Sequence, residues 1–256
     1  MIATESRESG RVARGGKKTY GIPVGILMLD TRFPRIPGDI GNASTWPFPV
    51  AYRVVSGATP DLVVRHLSET DLVQKFIDAA RDLEGQGVEL ITTGCGFLIL
   101  YQEQLQESVG VPVLTSSLLQ IPLVATLLPR GRSIGVLTVE RRSLTPQHLA
   151  AARVPQDTPI TVVGLEEAGG HFTSVLLDNL EELDVERATR EHEDAARLLL
   201  ERDPCVGAIV LECTNMPPYA HRIRALTGLP VFDVTTMIRW AVASHDLGSF
   251  HDSNWR

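Results

Sequence analysis

The stretch Glu89-Leu90-Ile91-Thr92-Thr93-Gly94-Cys95-Gly96-Phe97 decides the fold, because it has a second copy 118 positions on. That copy is Gly207-Ala208-Ile209-Val210-Leu211-Glu212-Cys213-Thr214-Asn215. At the same offset Tyr101 falls on Tyr219, Gly110 on Gly228 and Val113-Leu114 on Val231-Phe232. Cys95 precedes Pro112 by 17 positions, and Cys213 precedes Pro230 by the same 17. A weaker echo, at a different offset, sets Gly25-Ile26-Leu27-Met28 over Gly135-Val136-Leu137-Thr138. Each half therefore reads as strand, Cys, helix, Gly-x-Pro, strand, the mark of a duplicated unit.

Working outward, short β-branched runs alternate with longer helical patterns. Strands are expected at Val24–Leu29, Val50–Val55, Val88–Thr93, Val111–Thr115, Ser133–Val139, Ile160–Gly164, Val206–Leu211 and Val231–Val234. Helices are expected at Asp61–Glu84, Leu98–Ser108, Leu118–Leu128, Thr145–Arg153, Phe172–Leu183, Val185–Arg202, Pro218–Leu226 and Thr235–His245. Such alternation implies mostly parallel sheets. The expected fold is α/β, with two pseudo-symmetric parallel-sheet halves and the active site in the cleft between them. Residues 1–20, basic and rich in Gly, read as a mobile tail, with a basic binding arm as the rival reading. Residues 21–130 and 131–234 form the halves, and 235–256 a last helix and tail packing back on the first half.

Each cysteine stands just past the end of its strand, where open α/β sheets bind ligands. Two halves packed face to face set Cys95 and Cys213 on opposite walls of one cleft. The first turn of a helix offers unpaired N–H groups and a positive dipole end, which favour a thiolate and hold a carboxylate or enolate.

Composition narrows the function classes. The chain of 256 residues has 43% hydrophobic and 21% charged residues, ordinary for a globular protein. A formal net charge of -7 argues against a nucleic-acid partner. No apolar run approaches the ~20 residues of a membrane helix, and residues 1–20 lack the apolar centre of a secretory signal. A cytoplasmic location follows as an expectation. There, three cysteines make no disulfide framework, and without a C-x-x-C pair no metal site is expected. Cys205 has no repeat partner and reads as a buried structural cysteine.

The segments Thr92-Thr93-Gly94-Cys95-Gly96-Phe97 and Leu211-Glu212-Cys213-Thr214-Asn215-Met216 resemble the aspartate/glutamate racemase superfamily, over most of the chain from about Val24 to Ser244. That family also includes hydantoin racemases, maleate isomerases, arylmalonate decarboxylases and dimethylsulfoniopropionate lyases. The resemblance implies a cofactor-independent enzyme in which Cys95 and Cys213 exchange roles as base and acid at a carbon next to a carboxylate or carbonyl. It further implies that backbone amides at Gly96, Phe97, Thr214 and Asn215 bind the substrate carboxylate, and that Thr115, Ser116 and Ser117 line the pocket. Many members carry Asn-Thr after the first cysteine, where Gly96-Phe97 stands here. Many carry Gly-Cys-Thr-His around the second, where this chain has Glu212-Cys213-Thr214-Asn215.

The reading taken forward is a racemase or epimerase acting on a small carboxylate-bearing substrate. The alternative is a lyase or decarboxylase using the same cysteine cleft, and a second alternative is a non-catalytic carboxylate-binding protein. A symmetric homo-oligomer is the expected assembly. The long loop after the first strand offers Asp30, Asp39 and Asn42 as substrate contacts, although Asp39 beside Gly38 also suits a turn. Trp46 and Phe48 either close the pocket or pack that loop. Glu212 either raises the neighbouring thiol's pKa, binds a cationic substrate group, or pairs with Arg32 or Arg35. His171 caps a helix or lines the cleft, and Asp233 holds a substrate ammonium or caps the last helix. His192 and Glu193 read as a solvated helix face.

Overall fold

A computed structural model of the chain describes residues 15–67 and 71–244. Two four-stranded, all-parallel sheets form the framework. The first, in order β2-β1-β3-β4, comprises β1 (Val24–Leu29), β2 (Val50–Val55), β3 (Leu90–Thr93) and β4 (Val113–Leu114). The second, in order β6-β5-β7-β8, comprises β5 (Ser133–Thr138), β6 (Ile160–Gly164), β7 (Val206–Leu211) and β8 (Val231–Phe232). The duplication is visible in the register. Ile91 pairs with Val113 in the first sheet, and Ile209 with Val231 in the second. β1, β3, β5 and β7 are buried along their whole length, so their continuous apolar runs are those of strands covered on both faces.

Among the helices are α1 (Pro60–Arg65), α2 (Val73–Gln86), α3 (Gln102–Ser108), α4 (Ile121–Leu127), α5 (Pro146–Ala151), α6 (His171–Leu177), α7 (Val185–Arg202), α8 (Ala220–Thr227) and α9 (Val234–Ala243). Where a single helix was expected over Asp61–Glu84, α1 ends at Arg65 and α2 begins at Val73, with residues 68–70 outside the described range. Leu62, Leu67 and Leu72 suggested one continuous face. Instead Val63 and Val64 turn inward from α1, and Phe76, Ala80 and Leu83 from α2. Gly87 closes α2 with φ of 106°, and a Cβ there would stand 2.7 Å from the Thr19 carbonyl oxygen. Of the tail expected over residues 1–20, residues 1–14 lie outside the described range. Thr19 is bound through its N–H and its hydroxyl to the Gln86 carbonyl.

The halves are joined by an exchange of helices. Val234, Met237 and Ile238 of α9 pack on Val24, Ile26 and Leu90 of the first sheet. Ile121 and Val124 of α4, with Leu118 before it, pack on Ile134, Val136, Ala208 and Val210 of the second. Each half's closing helix thus buries its apolar face against the other half's sheet. The largest core cluster also crosses the boundary, running from Leu27 and Ile91 to Leu137 and Leu211. Exchange on this scale fixes how the two sets of strand ends face each other. No helix among the described residues is long and apolar enough to cross a membrane.

Candidate active site

The ends of β3 and β7 bring Cys95 and Cys213 to one narrow cavity. Both thiols are buried. Gly94, Gly96, Phe97, Glu212 and Asn215 complete the strand-end walls. The rest of the lining is apolar and comes from elsewhere in the chain: Leu29, Phe33, Pro60, Val64, Val139, Leu176 and Leu177. Spacing did not reveal this wall, because its members come from segments far apart in sequence.

The two cysteines are not equivalent. Cys95 precedes the 3-10 turn Gly96–Tyr101, and the Phe97 and Leu98 backbone N–H groups act on its sulfur. The Asn215 N–H acts on the Cys213 sulfur, and the Cys213 thiol in addition donates to Asn215 Oδ1 at 3.4 Å. Asn215 Nδ2 in turn donates to Asp39 Oδ2 at 2.6 Å, and Asp39 is held by Arg35 Nη1 at 2.8 Å. The expected lowering by helix N-termini is outweighed by burial. Desolvation, then the nearby Glu212 carboxyl, pushes the Cys95 thiol up to about 12 against the Phe97 amide. The same two causes hold the Cys213 thiol well above its ordinary range.

Glu212 is fully buried between Leu211 and Cys213. Its N–H donates to the Leu137 carbonyl at 2.8 Å and its Oε2 accepts from Thr138 Oγ1 at 2.8 Å. Oε1 has no hydrogen-bond partner. Desolvation raises the carboxyl to about 8, and the Thr138 hydroxyl only partly opposes this. The pairing with Arg32 or Arg35 weighed from sequence does not form. Arg32 bonds Glu181, and Arg35 bonds Asp39 and Thr31.

Several other expected contacts lie off the cavity. Asp30 is exposed and accepts from the Gly57 N–H at 3.0 Å. Asn42 caps the short turn Ala43–Thr45, accepting from Ser44 N at 3.0 Å and donating to the Arg35 carbonyl. Asp39 is buried but reaches the site only through Asn215. Thr115 Oγ1 donates to Gln102, and Ser116 Oγ accepts from Leu118 N. Ser117 Oγ donates to the Leu211 carbonyl at 2.5 Å, and Thr214 Oγ1 to the Gly94 carbonyl at 2.8 Å. The hydroxyls of Ser117 and Thr214 thus tie the two halves together. All four hydroxyls turn to a neighbouring polar group because a buried hydroxyl left without a partner is costly.

The remaining residues resolve as follows. His171 begins α6, its Nε2 accepting from Asp184 N at 3.1 Å, and Asp233 caps α9 through Thr236 N at 2.9 Å. Neither lines the cavity. Trp46 stacks on Phe48 at 5.7 Å and packs the loop. His192 is not on a solvated face: it is fully buried, stacked on Tyr219 at 4.0 Å, and Nδ1 lies 2.7 Å from the Ala188 carbonyl. Glu193 pairs with Arg222 and Arg197. Cys205 is exposed, contrary to the buried reading.

No family model matches the chain. Curated proteins do. "Dimethylsulfoniopropionate lyase" of Durusdinium sp. clade D is 32% identical over 215 residues, 82% of this chain and 70% of that protein. This chain belongs to the dimethylsulfoniopropionate lyase family. "Dimethylsulfoniopropionate lyase 3" of Emiliania huxleyi (strain CCMP1516) is 34% identical over 91% of this chain, which spans only 62% of that lyase's length. The fold of the family is shared more widely. Allantoin racemase from Pseudomonas fluorescens superposes with a TM-score of 0.56 at 18% identity, covering 88% of this chain and 92% of that one. Unliganded arylmalonate decarboxylase gives 0.54 at 16%, covering 89% and 94%. The superfamily expected from sequence is therefore correct and the racemase reading is not. The racemases are similar in fold alone, whereas the lyases match in sequence along most of the chain.

Proposed function

We propose that the chain is a lyase that eliminates dimethyl sulfide from dimethylsulfoniopropionate or a closely similar sulfonio acid. Cys95, as thiolate, removes a proton from the carbon next to the carboxylate. The freed electron pair forms the new C=C bond as the bond from carbon to the sulfonium sulfur breaks. Dimethyl sulfide and acrylate leave, and the Cys95 thiol returns its proton to solvent. The assignment of Cys95 as base rests on the different partners of the two sulfurs. Backbone donors favour a thiolate at both sulfurs, Phe97 and Leu98 at Cys95 and Asn215 at Cys213, but the Cys213 thiol also donates to Asn215 Oδ1, a bond that favours its thiol form. A sulfonium beside Cys95 opposes the desolvation that holds its thiol neutral.

The observation that carries this reading is a cavity walled by two thiols and hydrophobic side chains in a chain of the lyase family. The test is headspace detection of dimethyl sulfide from purified protein supplied with dimethylsulfoniopropionate. Cys95→Ala is expected to lower turnover by about 10²–10⁴, and Cys213→Ala to cost clearly less. Absence of dimethyl sulfide overturns the reading, and a greater loss from Cys213→Ala overturns the choice of base.

A further inference from the structure

Two departures from the superfamily pattern meet at one point in space. A side chain is absent at Gly96, after the first cysteine, and an acidic one is present at Glu212, before the second. A Cβ built on Gly96 would collide with Oε1 and with the carbonyl oxygen of Glu212. The room vacated on one wall is thus filled by a carboxyl group from the other. That group is fully buried, one oxygen is fixed by Thr138, the other has no partner, and Glu212 is among the residues lining the cavity.

What completes Glu212 is set by its surroundings. No Lys or Arg lines the cavity among the described residues. Arg35, whose field reaches Cys95, is bound to Asp39 and Thr31. The protein therefore supplies no counter-ion, and this buried carboxyl can ionise readily only when a cation comes to lie beside it. An ammonium carries three N–H donors, and apart from Glu212 the side-chain oxygen among the lining residues is Asn215 Oδ1, already bonded to the Cys213 thiol, while Leu29, Phe33, Val64, Val139, Leu176 and Leu177 offer no acceptor. An onium ion clothed in methyl groups has no such donors. Its methyls suit the apolar walls, and Phe97 adds an aromatic ring to them, while the Phe33 ring already carries Arg35 at 4.6 Å.

We propose that Glu212 is the specificity residue of this cavity, its free Oε1 being the counter-ion for a methylated onium group of the substrate. The inference rests on the lyase reading and deepens it, naming the residue that selects a sulfonio acid over an uncharged acid of the same shape. It also gives Gly96 a role, since any side chain there would displace the carboxylate.

The test uses two inhibitors of turnover of dimethylsulfoniopropionate by the intact protein. Trimethylsulfonium offers the cation without a carboxylate, and 4-methylpentanoate offers the carboxylate with carbon in place of the sulfonium sulfur. Wild type is expected to be inhibited by trimethylsulfonium. Glu212→Gln is expected to raise its inhibition constant by about 30-fold or more, the scale of an unpaired buried charge, while 4-methylpentanoate inhibits as well as before or better. Glu212→Asp, which keeps the charge, is expected to restore part of the trimethylsulfonium affinity. A merely structural role would weaken both inhibitors together. The proposal is overturned if trimethylsulfonium fails to inhibit wild type, if Glu212→Gln leaves its affinity unchanged, or if both inhibitors weaken in parallel. If wild type releases no dimethyl sulfide, the lyase reading fails by itself. The inference is then decided by the thermal shift that trimethylsulfonium gives wild type, expected to vanish in Glu212→Gln.

Discussion

Replacing Glu212 by Gln is expected to reshape the pH dependence of folding stability, in a direction fixed by the burial of the carboxyl. Glu212 titrates at about 8 in the folded chain, against an ordinary value of 4.5, chiefly through desolvation. Between those two values the folded state holds a proton that the unfolded state has lost. The contribution of Glu212 to stability therefore falls as pH rises from 4.5 to 8, and levels off above. Each pH unit in the window costs up to about 1.4 kcal/mol, and the full interval about 5 kcal/mol. Because Glu212 is fully buried, little solvent screening reduces this figure. Gln keeps an acceptor for the Thr138 hydroxyl but cannot ionise, so its contribution is flat. At pH 5 it places an amide where Oε1 has no partner, a cost of about 1–3 kcal/mol. The two urea-denaturation profiles are thus expected to cross, with wild type more stable at pH 5 and Glu212→Gln more stable by about 2–4 kcal/mol at pH 8.5. A difference that stays constant from pH 5 to 8.5 would refute the neutral, buried state of Glu212.

On the acid side the histidines dominate. Burial lowers both His148 and His192 to about 4, so stability present above 6.5 is expected to be lost as pH falls toward 4. His192→Phe should remove up to about 3 kcal/mol of that acid-side loss in denaturation measured from pH 7 to 4. Thr214→Val removes the bond to the Gly94 carbonyl across the halves, and should cost about 1–2 kcal/mol in urea unfolding at pH 7. Gly87→Ala forces a Cβ toward the Thr19 carbonyl at φ of 106°, and should cost about 1–3 kcal/mol by the same measurement. An unchanged midpoint would show that residues 17–19 do not hold against α2.

The sequence by itself determined the framework: eight strands in two duplicated sets, and two cysteines at matching strand ends. β1, β2, β6 and β7 end at the residues expected, because continuous apolar runs bounded by turn residues leave few ways to bury both faces. The resemblance of the cysteine motifs placed the chain in its superfamily but not in its reaction. Tertiary structure alone decided which side chains face the cavity. Thr115, Ser116, Ser117 and Thr214 sit close to the strand ends, yet each turns to a partner within the protein, since all four are buried from solvent. The apolar wall of Leu176, Leu177, Val64 and Phe33 has no local signature, being assembled by packing between distant segments. Glu212 offered three readings as a letter in the chain. The absent Cβ of Gly96, 116 positions away, makes room for its carboxyl, which is buried with one oxygen unpaired. Local patterns fix what a residue is and where its strand ends, whereas the partners that satisfy or strand its polar atoms come from across the fold.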